Sequence, residues 1–119
     1  AFMLKLFWVA LVALEHVYFL YLEMFLWTKP KGLKVFKQSL EKAQASQVLA
    51  ANQGLYNGFL AAGLLWGMLH PNPLMGRQIQ LFFLSCVVLA GAFGGATVGV
   101  RLFFVQSVPA IIALYCFFN

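Results

Sequence analysis

LEHVYFLYLEMFLW, residues 14–27, sets two carboxylates and an imidazole inside a run that is otherwise aliphatic and aromatic. Glu15 and Glu23 are two of only three acidic residues in the chain. The apolar run reaches back to residue 2, long enough to cross a hydrocarbon core about 30 Å thick as a helix. On translocon scales a charge near the centre of such a helix costs about 2.5 to 3.5 kcal/mol. Glu15, His16 and Glu23 therefore require a structural or functional reason.

Composition points the same way. The chain is 63% hydrophobic, 17% aromatic and 9% charged, where soluble domains average roughly 25% charged residues. That leaves too little polar surface for a water-soluble globule. A length of 119 residues allows one domain, residues 1–119. The opening AFMLKLF has the look of a signal peptide, but the apolar run continues through Glu23 to Trp27, which predicts a retained helix.

Four apolar runs cover about 2–27, 45–69, 78–98 and 102–118, each near the ~20 residues a span requires. No run alternates polar and apolar residues at period two. The expected fold is an all-α membrane protein, with four transmembrane helices in one bundle. Pro30 and Gly32 end the first helix. In the first connection Leu33, Phe36 and Leu40 recur with lysines between them, the pattern of a short amphipathic helix on the membrane surface. A solvated lysine-rich connector fits equally well. Pro109 is expected to kink the fourth helix.

The net charge of +5 does not point to nucleic acid, because five lysines (Lys29, Lys31, Lys34, Lys37, Lys42) fall in that one connection. The 1–2 and 3–4 connections hold six Lys/Arg, and the opposite side holds Lys5 and Arg77. The positive-inside rule then predicts a membrane protein with both termini outside and the lysine loop cytoplasmic. Small residues four apart mark close helix contacts: Gly54 and Gly58, Gly63 and Gly67, and the ridge Gly91, Gly95, Gly99. Intramolecular packing is the default reading of the ridge, and a homodimer seam is the sharper one.

With Glu15 at zero on a wheel of ~100° per residue, Glu23 and Lys5 fall at ~80° and His16 at ~100°. One quadrant thus gathers the ionisable groups and should face the protein interior. The second helix offers partners in NQGLYNG: Asn52, Gln53, Tyr56 and Asn57. Counting from the cytoplasmic hairpin, Glu15 lies ~19 Å deep and Asn57 ~18 Å, while Glu23 lies at ~7 Å and Gln53 at ~12 Å. Gln106 falls near the level of Glu23, and Ser85 and Thr97 add hydroxyls. These residues predict a polar pocket between helices 1 and 2, suited to proton exchange or to a cation, with an aromatic wall. Mutual satisfaction of the same groups is the plainer alternative.

No metal or cofactor is expected. His16 and Glu23 are ~10.5 Å apart along the axis, too far to share an ion. Cys86 and Cys116 sit in apolar runs and read as small buried hydrophobes. His70 belongs to the HPNP turn and reads as interfacial.

ALEHVYFLYLEMFLWTKPKG, VLAANQGLYNGFLAAGLLWG and FVQSVPA resemble a family of small bacterial membrane proteins of about this length, catalogued as a domain of unknown function, number thirteen-zero-four. The likeness spans nearly the whole chain. It implies an integral membrane protein with several helices and no particular activity.

Three functions fit these residues. The first is a module binding or transporting a small molecule in contact with membrane lipids, with Glu15 exchanging a proton. By analogy it is similar to the small multidrug exporters, although their motifs are absent. The second is an intramembrane acid–base enzyme acting on a lipid-like substrate through Glu23, His16 or Glu15. The third is an accessory or scaffold subunit without a ligand.

Overall fold

The computed structural model describes residues 2–119, and every regular element among them is helical. In chain order these are α1 (Phe2–Phe25), α2 (Pro30–Phe36), α3 (Leu40–Ala45), α4 (Gln47–Leu69), α5 (Pro73–Thr97) and α6 (Val100–Leu102). A π-helical segment (Phe103–Ser107) and α7 (Val108–Phe117) follow. Three stretches are long and apolar enough to cross a membrane: Phe2–Phe25, Pro73–Thr97 and Val100–Phe117. Their outward faces carry large apolar side chains such as Phe7, Leu11, Phe82, Leu89, Phe93 and Phe104. Such surface suits acyl chains and not water. α4 has the length of a span, 23 residues, but Gln47, Asn52, Gln53 and Asn57 make it more polar, and it falls outside that set.

The chain forms two compact units. The first comprises the residues up to Leu14 together with Leu60–Asn119, and the second is Glu15–Phe59.

The core of the first unit is aliphatic. Val9, Val12, Leu64, Leu84 and Val87 are fully buried, with Ala110 and Ala113 of α7 closing the cluster. α5 begins at Pro73, five residues before the expected start at 78, because the Asn72 side chain accepts hydrogen bonds from the amides of Leu74 and Met75. Proline in the first turn sacrifices no helical donor, so Asn72–Pro73 is an efficient start signal. Gly91 and Gly95 face the last span: a β-carbon on Gly91 would strike Ser107, and one on Gly95 would come 2.8 Å from Phe103 Cβ. Two members of the glycine ridge are thus used for packing within the chain, while a β-carbon on Gly99 would meet nothing within 4 Å. Ser107, fully buried, donates from Oγ to the Val88 carbonyl at 2.8 Å. Pro109 lacks an amide hydrogen and crowds the carbonyl four residues back. The π-helical segment just before it relieves that crowding, and the Val108 amide reaches back to the Phe103 carbonyl.

In the second unit α1 ends at Phe25, two residues short of the expected 27, and α4 starts at Gln47 instead of 45. The connection between them is two short helices and not one. Lys37 adopts φ 51°, ψ 49°, which breaks the run after Phe36. Ser39 then caps α3 by accepting from the Lys42 amide. Leu33 and Phe36 therefore lie on one helix and Leu40 on the next, so the three expected apolar positions do not form one stripe. Trp27 ties the connection down: its ring lies 4.7 Å from that of Phe36, and its Nε1 donates to Ser46 Oγ at 3.1 Å. Gly32 is buried against the Leu26 backbone, and a β-carbon there would overlap the Leu26 carbonyl oxygen.

Gly32→Val should open this turn. An overpacked site costs about 1 to 3 kcal/mol, so a lowered melting temperature and faster proteolysis within residues 26–46 are the expected results, read by limited digestion of the purified protein in detergent.

Candidate functional site

The second unit holds the chain's three acidic residues, Glu15, Glu23 and Glu41. Glu23 is 5% exposed. A carboxylate removed from water needs donors on both oxygens, and α4 supplies them. Asn57 Nδ2 donates to Glu23 Oε1 at 2.6 Å, and Gln53 Nε2 donates to Oε2 at 3.2 Å. Gln53 and Asn57 are four apart, so they share one face of α4 and reach the two oxygens of one group. Glycine makes this reach possible. A β-carbon on Gly54 would lie 2.8 Å from Met24 Cγ, 3.0 Å from Glu23 Cβ and 3.2 Å from the Leu20 carbonyl oxygen. At Gly58 it would lie 2.5 Å from Leu20 Cδ1. A larger residue at Gly54 would press on the Leu20 backbone and on Glu23 itself, whereas one at Gly58 would displace the end of the Leu20 side chain.

Asn57 therefore meets Glu23 and not Glu15, as equal depths had suggested. The contacts of Gly54 with Glu23 and of Gly58 with Leu20 set the register. The first turn of α4 runs past the level where α1 ends, and counting from a flush hairpin misses that offset.

Glu15 lies two helical turns away, about 12 Å along the axis. It is half-buried, and its Oε1 is buried with no hydrogen-bond partner. His16 is fully buried, its ring set edge-on to Phe19 at 5.1 Å and 70°. Phe19 thus lies, by sequence position on α1, between the Glu15–His16 pair and Glu23.

The remaining expected residues are divided between the two units. Asn52 is exposed, and Tyr56 is exposed with its ring 5.6 Å from Phe59. Gln106 belongs to the π-helical segment of the first unit. Ser85 and Thr97 donate to the carbonyls of Leu81 and Phe93 in their own helix, each at 2.7 Å, the usual fate of a hydroxyl in an apolar helix. Among the described residues no three His, Cys, Asp or Glu side chains group as metal ligands. Two contributors were not anticipated: Ser46, which anchors Trp27, and Ser107, which bonds across to α5. A serine in a polar connection carries no local sign of its partner. Ser107 has one, since it precedes Val108–Pro109, where a helix must rearrange its backbone bonds.

The site thus has two parts with different chemistry. At Glu23 both oxygens are occupied by neutral amides, which fastens α1 to α4. At Glu15 an acceptor is held out of water without a donor.

Asn57→Ala should destabilise the second unit by about 1 to 3 kcal/mol, because one oxygen of a buried carboxylate loses its donor. Adding Glu23→Gln or Glu23→Met should recover part of that loss. A double-mutant cycle on thermal unfolding in detergent measures the coupling, and strict additivity would remove the clasp from the account.

The profile of a family described as "Protein of unknown function (DUF1304)" matches residues 10–118. The chain is 32% identical over 106 residues to "Uncharacterized protein YpaA" of Lactococcus lactis subsp. lactis (strain IL1403), covering 87% of each protein. No solved structure matches it. With nearly its whole length matched, including the helices that carry Glu23, Gln53 and Asn57, the chain belongs to the DUF1304 family.

Proposed function

We propose that this protein binds a small cationic molecule at the membrane and exchanges it for a proton carried by Glu15. The single observation behind this reading is the buried, partnerless Oε1 of Glu15 next to a fully buried histidine. A group used only for structure is expected to be satisfied, as Glu23 is. An acceptor left open inside a span is a place for a proton or a cation. Phe19, packed on His16, lends an aromatic face to such a site. In this reading α4 is the fourth span, the lysine-rich connection faces the cytoplasm of a bacterial inner membrane, and both termini face outward. His16 is the group through which the proton leaves or enters.

The scaffold reading draws support from Glu23. Its two amide bonds are what a purely architectural carboxylate would make. The division of labour proposed here gives Glu23 that role and reserves exchange for Glu15.

Reconstitution into liposomes with an imposed pH gradient separates the two. Ethidium serves as the cationic probe and a trapped pH dye reports protons. The wild-type protein should move ethidium with a matching proton flux, and Glu15→Gln should abolish both. Glu23→Gln should keep the flux while lowering thermal stability. Full transport by Glu15→Gln, or no proton movement with the wild type, would overturn the exchange mechanism.

A further inference from the structure

The first unit contains a cavity of about 240 Å³ that the site above does not use. It is lined by the start of α1, the end of α4, the 70–72 turn, the start of α5 and the end of α7. Those are helix ends, which for membrane-crossing helices lie at the boundary between acyl chains and headgroups. Lys5, His70 and Arg77 bring nitrogen donors to it, and Leu6, Met68 and Phe117 bring apolar wall. The volume falls below the roughly 300 to 1,000 Å³ of drug-sized sites, which suits a small headgroup with the first methylenes beyond it.

The cations here are held in an unusual way. Lys5 Nζ stands 4.7 Å from the centroid of the Phe117 ring. The Arg77 guanidinium stands 5.8 Å from the same ring and 5.1 Å from that of Phe118. Arg77 also donates to the Phe117 carbonyl at 3.5 Å. Ring faces and one carbonyl steady the two charges without neutralising them. Among the described residues that line the cavity none is acidic. His70 Nδ1 accepts from the Asn72 amide at 3.0 Å, which assigns the proton of the neutral ring to Nε2. The third nitrogen group is therefore a donor as well.

Two uncompensated cations and a donor imidazole, around a space with one apolar side, suit a phosphate-class anion. Arginine meets phosphate oxygens through a planar fork, and lysine adds a point charge. We infer that this cavity binds a phosphate group, supplied either by an anionic phospholipid headgroup or by a free phosphate.

Native mass spectrometry of the full chain tests this, with release from nanodiscs of phosphatidylglycerol or phosphatidylcholine. The wild-type protein should retain phosphatidylglycerol over phosphatidylcholine. Lys5→Gln and Arg77→Gln should each reduce that preference about fivefold, and Arg77→Lys should restore part of it. Lys31→Gln, in the other unit, should leave it unchanged. Displacement of the lipid by millimolar inorganic phosphate, or binding of inorganic phosphate to lipid-free protein, would identify free phosphate as the source. Retention that phosphate does not disturb would identify the headgroup. Equal retention of both lipids by the wild type, together with no binding of inorganic phosphate, would overturn the inference, whatever the variants do.

Discussion

A carboxylate drawn out of water must find its donors within the protein, and Glu23 finds both on one face of α4. That requirement fixes much of the second unit. Asn57 at 2.6 Å leaves no slack between the helices, so the residues between the partners have to be small. Gly54 and Gly58 meet that demand, and each would clash if enlarged. The register they impose sets where α4 begins relative to the end of α1. The connection then has to cover the offset, and it does so with two short helices pinned by Trp27.

The first unit solves a different problem. Its core is aliphatic, and its polar groups are few and local. Hydroxyls on α5 bond back to their own helix, while Ser107 reaches the Val88 carbonyl of a neighbouring one. Charge is confined to the helix ends, where Lys5 and Arg77 rest on the rings of Phe117 and Phe118. Apolar matter between the ends and cations at the rim is the division a membrane span demands.

Much of this was legible in the residues, for identifiable reasons. Hydropathy over ~20 residues needs no tertiary information, and of the four spans expected from it three are long and apolar enough to cross a membrane, with the more polar α4 the exception. The helical wheel placed Glu15, His16 and Glu23 on one side, because 100° per residue is a property of the backbone. Gln53 and Asn57 were two of the four partners expected from NQGLYNG, where Asn52, Gln53, Tyr56 and Asn57 cover a sector of ~140°. What the sequence concealed was register. Which carboxylate Asn57 meets depends on how far α4 overshoots α1, and that follows from the close contacts at Gly54 and Gly58. Asn52 and Tyr56 lie within a turn of the true partners and are exposed, as Gln53 is, so a broad polar sector does not separate them. The break at Lys37 was equally hidden, because a lysine gives no sign of a left-handed conformation.

The π-helical segment has a consequence for how relatives are compared. A π turn is an α-helix carrying one surplus residue, absorbed by backbone bonds that skip one position farther. Deleting a single residue between 103 and 107 would return the stretch to ordinary winding and leave the helix on either side in the same register. Buried Ala110 and Ala113 would then keep facing the aliphatic core. Homologues lacking the surplus residue should carry a one-position gap just ahead of the proline, and a different residue in its place.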